Sequence, residues 1–364
     1  MLPITPRGFK DVLPKEARIR EELGKRVMGV MDLWGYDPIE TPSLEVLDVL
    51  EQGSTLDSST FKLFDGDNNL LVMRPDVTLP IARMVASRLA SSGSTTQRFR
   101  YNLPVFRENE PSKGQSREFT QLGIEQIGVT GPAFDAETIV VFVECLRSAG
   151  LGDFTIEFCN VEVLESLLAS CEADASFVQE VKEAYHASNQ VRLDAILDAS
   201  GIDDELRAML RGLIRIHGGR EAIASCRELL GGRVRGEVFD ELEATWDIVE
   251  SCGYADFVGI DFSLLGSFDY YTGLIMEAFA PGFGKPIGSG GRYDGLLQVF
   301  GAEAPAAGFA FSLERLMHAL AKQGSLDAPE RATEVIGSCD ADAFAQAMEL
   351  HAQGRAARIG GGCQ

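Results

Sequence analysis

The strand-like segment REFTQLGIEQIGV carries two polar residues, Gln121 and Glu125, at a spacing of four. Because side chains alternate between the two faces of a strand, an even spacing places both on one face. Farther along the chain, DYYTG adds the adjacent tyrosines Tyr270 and Tyr271. A carboxylate, an amide and phenol hydroxyls together suit a ligand that carries an ammonium or an imidazole group. Taken alone, the tyrosines are better explained by core packing, so the site hypothesis depends on the whole set.

Other patterns that often carry chemistry are missing from the sequence. The glycine-rich segment GSGGRYDG, predicted to be a turn, has neither the spacing of a phosphate-binding P-loop nor that of a dinucleotide fingerprint. The seven cysteines contain no CxxC pair, and the four histidines are far apart. We therefore expect reduced thiols, no metal site and no cofactor.

The charge balance bears on the class of partner. The chain has 33 basic and 55 acidic residues, a net charge of −22. Nucleic acids are bound by neutralising phosphates with Lys and Arg, so this balance disfavours a nucleic acid as the main partner. No secretory signal precedes the first helix, and no apolar run approaches the roughly 18 to 20 residues that cross a bilayer. These observations predict a cytoplasmic protein.

Hairpins and helices that do not alternate regularly predict an α+β fold on a largely antiparallel sheet. Apolar residues at helical spacing predict a helix over 14–34, ended by Gly35. FKLFDGDNNLLVMRPD predicts a hairpin, and RFRYNLPVFREN and REFTQLGIEQIGV predict two more strands. DFVGIDFSLL, DYYTGLIMEAF and AAGFAFS predict later strands. Between them, residues 161–252 contain several helical runs and almost no strand signal, which predicts a helical insertion.

Six segments together resemble the histidyl-tRNA synthetase core, a class II aminoacyl-tRNA synthetase. They are PRGFKDVLP, VMRPDVTLPIAR, NLPVFREN with SREFTQLGIEQIG, SFDYYTGLIMEAF, GSGGRYDGLL and AAGFAFSLERL. They occur in that family's order, over about residues 6–320. The resemblance implies a class II synthetase-like antiparallel sheet flanked by helices. It does not by itself fix the function.

The resemblance also implies roles for individual residues. Arg107 and Arg315 match the two arginines that hold ATP phosphates in class II synthetases, a role we regard as vestigial here. In the amino-acid pocket, Asp76, Thr78 and Gln121 match the positions that hold the ammonium group. Glu125, Tyr270 and Tyr271 match the imidazole side. The glycines from Gly288 to Gly291 match a segment that lies against the amino-acid site and allows a close approach of the backbone.

Three departures from the family pattern affect the reaction centre. Gly266 stands where the synthetases carry an arginine that acts on the α-phosphate, and losing such a group typically costs about 10² to 10³ in rate. Asn109 replaces the glutamate that contacts adenine. Gln115 stands in a loop position where an arginine is expected. The resemblance therefore implies a kept histidine pocket beside a centre that no longer activates histidine.

The chain is divided accordingly into a synthetase-like core (1–160 and 253–323), the helical insertion (161–252) and a short remnant (324–364). The synthetases continue with an anticodon-binding domain of roughly a hundred residues. The remnant is too short for it, and we expect at most one strand and one helix there. We therefore expect no binding of tRNA.

These features together resemble one family of histidyl-tRNA synthetase paralogues, the regulatory subunits of ATP phosphoribosyltransferase. The resemblance implies a non-catalytic subunit that the short catalytic subunit needs for activity in the first step of histidine biosynthesis. It also implies feedback by histidine, and a homodimer, paired around residues 36–53, within a larger hetero-oligomer. Two alternatives stay open. One is a divergent synthetase or another amino-acid-activating enzyme, and the other is a scaffold whose pocket is vestigial.

Overall fold

The computed structural model describes residues 5–53, 60–89, 96–108, 116–265, 270–329 and 332–360. Its helices are α1 (Pro14–Leu33), α2 (Leu47–Leu50), α3 (Thr78–Met84), α4 (Pro132–Ser148), α5 (Glu162–Ser170), α6 (Ala175–His186), α7 (Gln190–Ala199), α8 (Asp204–Leu213), α9 (Glu221–Leu230), α10 (Gly236–Ser251), α11 (Leu296–Val299), α12 (Leu313–Lys322) and α13 (Ala341–Ala352). A π-helical turn (Val85–Leu89) continues α3.

The strands are β1 (Asp37–Pro38), β2 (Leu44–Val46), β3 (Lys62–Phe64), β4 (Leu70–Met73), β5 (Gln97–Phe106), β6 (Glu118–Ile127), β7 (Thr155–Asn160), β8 (His217–Gly218), β9 (Val258–Asp261), β10 (Leu274–Phe279), β11 (Gly288–Arg292), β12 (Ala306–Ser312), β13 (Thr333–Ile336) and β14 (Ala356–Ile359). The predicted hairpin is present as β3 and β4, and the two long predicted strands are β5 and β6.

A nine-stranded sheet forms the centre of the larger of two compact units, which comprises residues 1–11 and 23–326. Its strand order is β1-β5-β6-β12-β11-β10-β7-β9-β8. The β1–β5 and β7–β9 pairs are parallel, and the other neighbours are antiparallel. The prediction of an α+β fold on a largely antiparallel sheet is therefore confirmed. A separate three-stranded sheet has the order β2-β4-β3.

Helix α4 packs on the central sheet because most of its length is apolar. Pro132 occupies its first turn, where a missing N–H costs nothing, and Gly131 precedes it with a positive φ of 104°. Phe142 is fully buried and stacks on Phe309 of β12, with ring centroids 4.4 Å apart. This packing holds α4 against β12 of the central sheet.

Residues 162–251 consist mainly of helices α5 to α10. Asp174, Asn189 and Asp203 cap α6, α7 and α8, because each side chain accepts a hydrogen bond from a backbone N–H of the first turn. These caps agree with the helical runs predicted from the sequence. The boundaries of the insertion, 161–252, stay a proposal.

The second compact unit comprises residues 12–22 and 327–364. In it, β13 and β14 form a parallel pair joined by α13, whose Ala343, Ala347 and Leu350 pack with Ile336. The prediction of at most one strand and one helix in this segment is therefore wrong. Ala356–Ile359 forms a second strand because a helix returning the chain lets two short segments pair in parallel.

The cysteines are not all in the same oxidation state. Cys145, Cys159, Cys171, Cys226 and Cys252 are free thiols, whereas Cys339 is disulfide-bonded. The prediction of reduced thiols is therefore wrong at Cys339, because spacing along a chain does not reveal which thiols meet in the fold.

None of the helices in the described ranges is long and apolar enough to span a membrane.

Candidate functional site

The six residues predicted to bind histidine surround one small cavity of about 30 Å³ in the larger unit. They are Asp76, Thr78, Gln121, Glu125, Tyr270 and Tyr271. The cavity is also lined by Ser289 and Gly290 of β11, by Tyr293, and by Gly308, Phe309 and Ala310 of β12. A space of this size accommodates about one water molecule. A bound amino acid would therefore require lining side chains to move outward.

Glu125 lies at the centre of the site and is 1% exposed. Its carboxylate accepts hydrogen bonds from the hydroxyls of Thr78 (2.7 Å) and Tyr101 (3.2 Å) on one oxygen and from Tyr293 on the other. Tyr101 and Tyr293 were not among the predicted site residues. Tyr293 stands within GSGGRYDG, where the glycines alone had drawn attention, and Tyr101 belongs to the neighbouring strand β5.

Among the described residues, the side chains that donate hydrogen bonds to Glu125 are hydroxyls. Burial raises the pKa of Glu125 to about 8, although hydrogen bonds from Tyr293, Thr78 and Tyr101 act in the opposite direction. Burial likewise raises the pKa of Asp76. Two acidic groups thus share a low-dielectric site, where a ligand that donates hydrogen bonds or carries positive charge would stabilise their ionised forms.

Backbone contacts hold Asp76 and Gln121 in place. Asp76 accepts a hydrogen bond from the N–H of Leu79 at 3.0 Å, which satisfies a donor in the first turn of α3. The side-chain oxygen of Gln121 accepts from the N–H of Val77 at 3.2 Å. Gln121 and Glu125 both line the cavity from β6, as their even spacing predicts. The start of α3 is therefore fastened to β6.

The tyrosines also line the cavity. Tyr270 and Tyr271 are half-buried, with ring centroids 5.2 Å apart, and Tyr270 meets Tyr293 edge-on at 5.8 Å. They also pack against the hydrophobic cluster that contains Tyr101 and Leu79. The core-packing and site interpretations of this pair are thus compatible in one structure.

The segment GSGGR is a strand, β11, so the prediction of a glycine-rich turn is wrong there. The expected close approach is present, because a Cβ on Gly291 would stand 2.7 Å from the Tyr271 ring. On β12, a Cβ on Gly308 would collide with the Glu125 carboxylate. Glycine permits a strand here because its missing side chain leaves room for a neighbour to lie flat on the sheet.

Arg107 and Arg315, the predicted vestigial phosphate ligands, lie near one another beside the cavity. The side chain of Arg107 donates to the carbonyl of Pro75, and that of Arg315 donates to the carbonyl of Pro286, each at 2.8 Å. Burial lowers the pKa of Arg315, and repulsion from Arg107 lowers it further. Such a pair of cations would favour an anion next to the cavity. Asn109, Gln115 and Gly266, which depart from the family pattern, lie outside the described residues.

Two carboxyl groups continue the same sheet beyond the cavity. Glu277 of β10 pairs in register with Ser289, and Glu157 of β7 pairs with Glu277. Burial raises the pKa of each to about 7, and the charge of Asp261 raises it further. Within the described ranges, no group of three or more His, Cys, Asp or Glu residues could hold a metal ion.

Comparison with known proteins gives a consistent result. Residues 8–316 match the family model described as histidyl-tRNA synthetase. The chain is 36% identical to an ATP phosphoribosyltransferase regulatory subunit of Moorella thermoacetica, over 98% of this chain and 92% of that protein. It is 34% identical to a protein of the same name from Bacillus pumilus, over 96% and 89% of the two chains.

Solved structures show the same likeness. A crystal structure of an ATP phosphoribosyltransferase regulatory subunit/histidyl-tRNA synthetase from Bacillus halodurans has a TM-score of 0.87 and 30% identity, covering 99% of this chain and 93% of that one. The histidyl-tRNA synthetase of Nostoc has a TM-score of 0.81 at 24% identity, covering 99% and 86%, and this likeness concerns the fold alone.

Proposed function

The chain belongs to the family of ATP phosphoribosyltransferase regulatory subunits, which has the histidyl-tRNA synthetase fold, and from this premise we propose that it is a regulatory subunit without catalytic activity of its own. Its partner is the short catalytic subunit, a glycosyltransferase that carries out the first step of histidine biosynthesis. The chain activates this subunit, conveys feedback by free histidine, binds no tRNA and acts in the cytoplasm.

The convergence of six separated residues on one cavity is the observation that carries the histidine proposal. Glu125 and the hydroxyl groups around it provide an acceptor and donors for an imidazole, while Asp76 and Gln121 provide acceptors for an ammonium group. These residues come from β6, the start of α3 and the segment before β10. We would not expect a pocket that has lost its ligand to keep such a complete set of polar side chains together.

The absence of catalysis is proposed from the sequence departures beside this pocket. Adenylate formation requires cations at the α-phosphate and a contact to adenine, which the synthetases provide where Gly266, Asn109 and Gln115 stand here. Arg107 and Arg315 alone do not replace these groups. The proposed boundaries of the core, the helical insertion and the remnant are those given above.

We also propose a homodimer within the larger hetero-oligomer. The outward face of the three-stranded sheet is apolar, with Leu44, Val46 and Leu63 exposed by 41, 42 and 37%. Their register with Leu71 and Met73 places all five side chains on one face. Leu44 and Val46 of this face lie within the region 36–53, and twofold pairing through one patch is the commonest form of oligomer.

The proposal is tested by mixing the chain with a short catalytic subunit and measuring phosphoribosyl transfer. We expect the chain to raise the activity and histidine to lower it. Glu125→Ala should weaken histidine binding, measured by calorimetry, by about tenfold or more, because the imidazole N–H loses a buried acceptor. Feedback should weaken in parallel, while activation persists.

Two further measurements separate the alternatives. Histidine-dependent exchange of pyrophosphate into ATP by the chain alone would identify an amino-acid-activating enzyme and overturn the regulatory proposal. If histidine does not bind the wild-type chain, or if Glu125→Ala alters neither binding nor feedback, the pocket is vestigial and histidine acts elsewhere.

A further inference from the structure

A buried cation lies two residues before Asp76 in the chain. Arg74 directly follows β4 and is 1% exposed. Among the described residues, its guanidinium donates hydrogen bonds to neutral acceptors, and the charges of Glu40 and Glu45 act on it without forming an ion pair. Burying a charge in this way is costly, and an apolar residue of similar size would fill the same space at less cost. The hydrogen bonds of Arg74 are therefore the feature that an apolar residue could not supply.

The guanidinium of Arg74 joins two segments of the main chain. Its Nε donates to the carbonyl of Pro104 in β5 at 2.8 Å. Its Nη1 donates to the carbonyl and the hydroxyl of Thr41 and, at 3.3 Å, to the carbonyl of Pro42. The donors of an arginine point in fixed directions from one plane. The side chain therefore sets the position of residue 74 relative to both segments.

The main chain of Arg74 is held by the same two segments. Its N–H donates to the carbonyl of Ser43, and its carbonyl accepts from the N–H of Phe106, each at 3.0 Å. Pro75 follows, and its ring fixes its own φ and restricts Arg74 to an extended conformation. Asp76 comes next. A residue of fixed position is therefore separated from Asp76 by one rigid residue.

Asp76 lies at the proposed ammonium end of the pocket and is 3% exposed. The first turn of α3 holds it on one side, through the N–H of Leu79. On the other side it is held by the segment that Arg74 fixes, and the carbonyl of Pro75 in that segment also accepts a hydrogen bond from Arg107. Glu125, at the proposed imidazole end, belongs to β6 and is bonded by the three hydroxyls described above. The two ends of the pocket thus have separate supports.

We propose that Arg74 is a positioning residue for the ammonium end of the pocket, and that it holds residues 74–76 so that the Asp76 carboxylate meets the ammonium group of a bound amino acid. This inference rests on the proposed use of the pocket for histidine. Arg74 is not among the residues that line the cavity, so it acts through Asp76. Loss of its hydrogen bonds should weaken recognition of the ammonium group, while recognition of the imidazole at Glu125 persists.

Two ligands that differ in the ammonium group distinguish this role from a general loss of structure. Histidine carries the group and imidazole propionate lacks it, while both have the imidazole ring and the carboxylate. Calorimetry measures the dissociation constants of both ligands, and their ratio reports the contribution of the ammonium group. The wild-type chain should bind histidine about tenfold more tightly or better, because imidazole propionate cannot make the charge-assisted hydrogen bond to Asp76.

Arg74→Lys keeps the charge but replaces the planar fork by a single ammonium, which cannot hold both segments in the same geometry. We expect this variant to bind histidine about fivefold more weakly or worse and to bind imidazole propionate within about twofold of the wild type. Asp76→Asn should reduce the ratio in the same way. The double variant should lose no more than Asp76→Asn alone, because both changes act on one contact.

Arg98→Lys is the matched control. Arg98 also belongs to the polar side chains that are partly buried beside β5, and it bonds to Glu137 through both of its terminal nitrogens. Its replacement should leave the ratio of the two dissociation constants unchanged. Thr41→Val covers the case in which Arg74→Lys does not fold, because it removes one acceptor of Arg74 and should lower the ratio by a smaller factor.

The outcomes separate this inference from the proposed function. If Arg74→Lys weakens both ligands equally, or changes neither, Arg74 does not act through Asp76 and the inference is overturned. The same criterion applies to Thr41→Val where Arg74→Lys does not fold. A wild-type chain that binds neither ligand contradicts the proposed histidine pocket itself, and the role of Arg74 fails with it.

Discussion

At the scale of single residues, Glu125 determines the character of the site. Its carboxylate is almost fully buried and is surrounded by three hydroxyl donors. Hydroxyls solvate a carboxylate less well than a cation does, so burial dominates and the pKa rises to about 8. At neutral pH the group therefore keeps its proton for most of the time. A ligand that donates to the ionised form must displace that proton.

Histidine binding at pH 7 should accordingly release a proton. The N–H of the imidazole stabilises ionised Glu125 and lowers its pKa in the complex, so fewer protons are bound after binding than before. Calorimetry in two buffers with different ionisation enthalpies measures this release directly, and we expect a fraction approaching about one proton per histidine.

Glu125→Gln should abolish the release. Glu157→Gln is the matched control, because the pKa of Glu157 is also raised, to about 7, yet Glu157 does not line the pocket. A binding enthalpy that is the same in both buffers would show that Glu125 does not exchange its proton with the ligand.

Sequence patterns identify most of the residues around Glu125, but not all of them. The even spacing of Gln121 and Glu125 and the family motifs were sufficient to select six residues that line one cavity. Tyr101 was missed because it reaches Glu125 from a neighbouring strand, 24 residues away along the chain. Contacts across a sheet depend on register, which a single sequence does not reveal.

At the scale of elements, one ion pair fastens β11 to α4. Arg292 at the end of β11 is 7% exposed as a side chain and bonds to Asp135 in the first turn of α4, with a distance of 3.0 Å from Nε. It also pairs with Asp294 at 3.1 Å. Tyr293 lies between Arg292 and Asp294 in the chain. The ion pairs of Arg292, called the Arg292 clamp below, therefore position the Tyr293 hydroxyl, which is a donor of the pocket.

Asp135→Ala should lower the free energy of unfolding by about 3 to 5 kcal/mol, because it leaves a buried guanidinium short of its main partner. Urea denaturation measures this loss. The control is Asp240→Ala, which removes one of two acidic partners from the half-exposed Arg227. An exposed pair contributes about 1 kcal/mol or less. Equal losses in the two variants would contradict the role of the Arg292 clamp.

The elements themselves were largely predictable, with two instructive exceptions. Apolar periodicity identified α1 and the long strands β5 and β6. GSGGR was mistaken for a turn because its glycines carry no strand propensity, whereas their place under neighbouring side chains is decided by the tertiary fold. The strand Ala356–Ile359 was missed because a short strand in a small unit has too little periodicity to stand out.

At the scale of the whole molecule, three raised carboxyl pKa values act together on stability. Glu125 titrates at about 8, and Glu157 and Glu277 titrate at about 7 in the folded chain, against an ordinary value of 4.5. Between about pH 4.5 and the folded pKa values, the folded state binds more protons than the unfolded state. Stability therefore decreases as pH rises, and the loss is complete above the folded pKa values.

We expect the urea midpoint of the chain to fall steadily from pH 5.5 to about pH 8.5. Replacing Glu125, Glu157 and Glu277 together by glutamine should flatten this dependence, since glutamine does not titrate. Circular dichroism during urea titration provides the measurement. A midpoint that is constant or rises over this range would contradict the raised values.

The glycines that lie beneath neighbouring side chains have a consequence for evolution. Gly308 underlies Glu125, Gly291 underlies Tyr271 and Gly259 underlies Glu157. Each of these glycines limits which amino acids its position accepts, because any larger residue would collide with the neighbour above it. In a library that randomises every position, these glycines should be depleted of substitutions as strongly as the binding residues. At Gly259, where an added Cβ would meet only the Glu157 side chain, tolerance should return when Glu157 is shortened in the same molecule, so these two positions would be inherited as a pair. Gly308 and Gly291 should stay intolerant, because a Cβ there would also collide with the backbone carbonyls of Ile124 and Leu274.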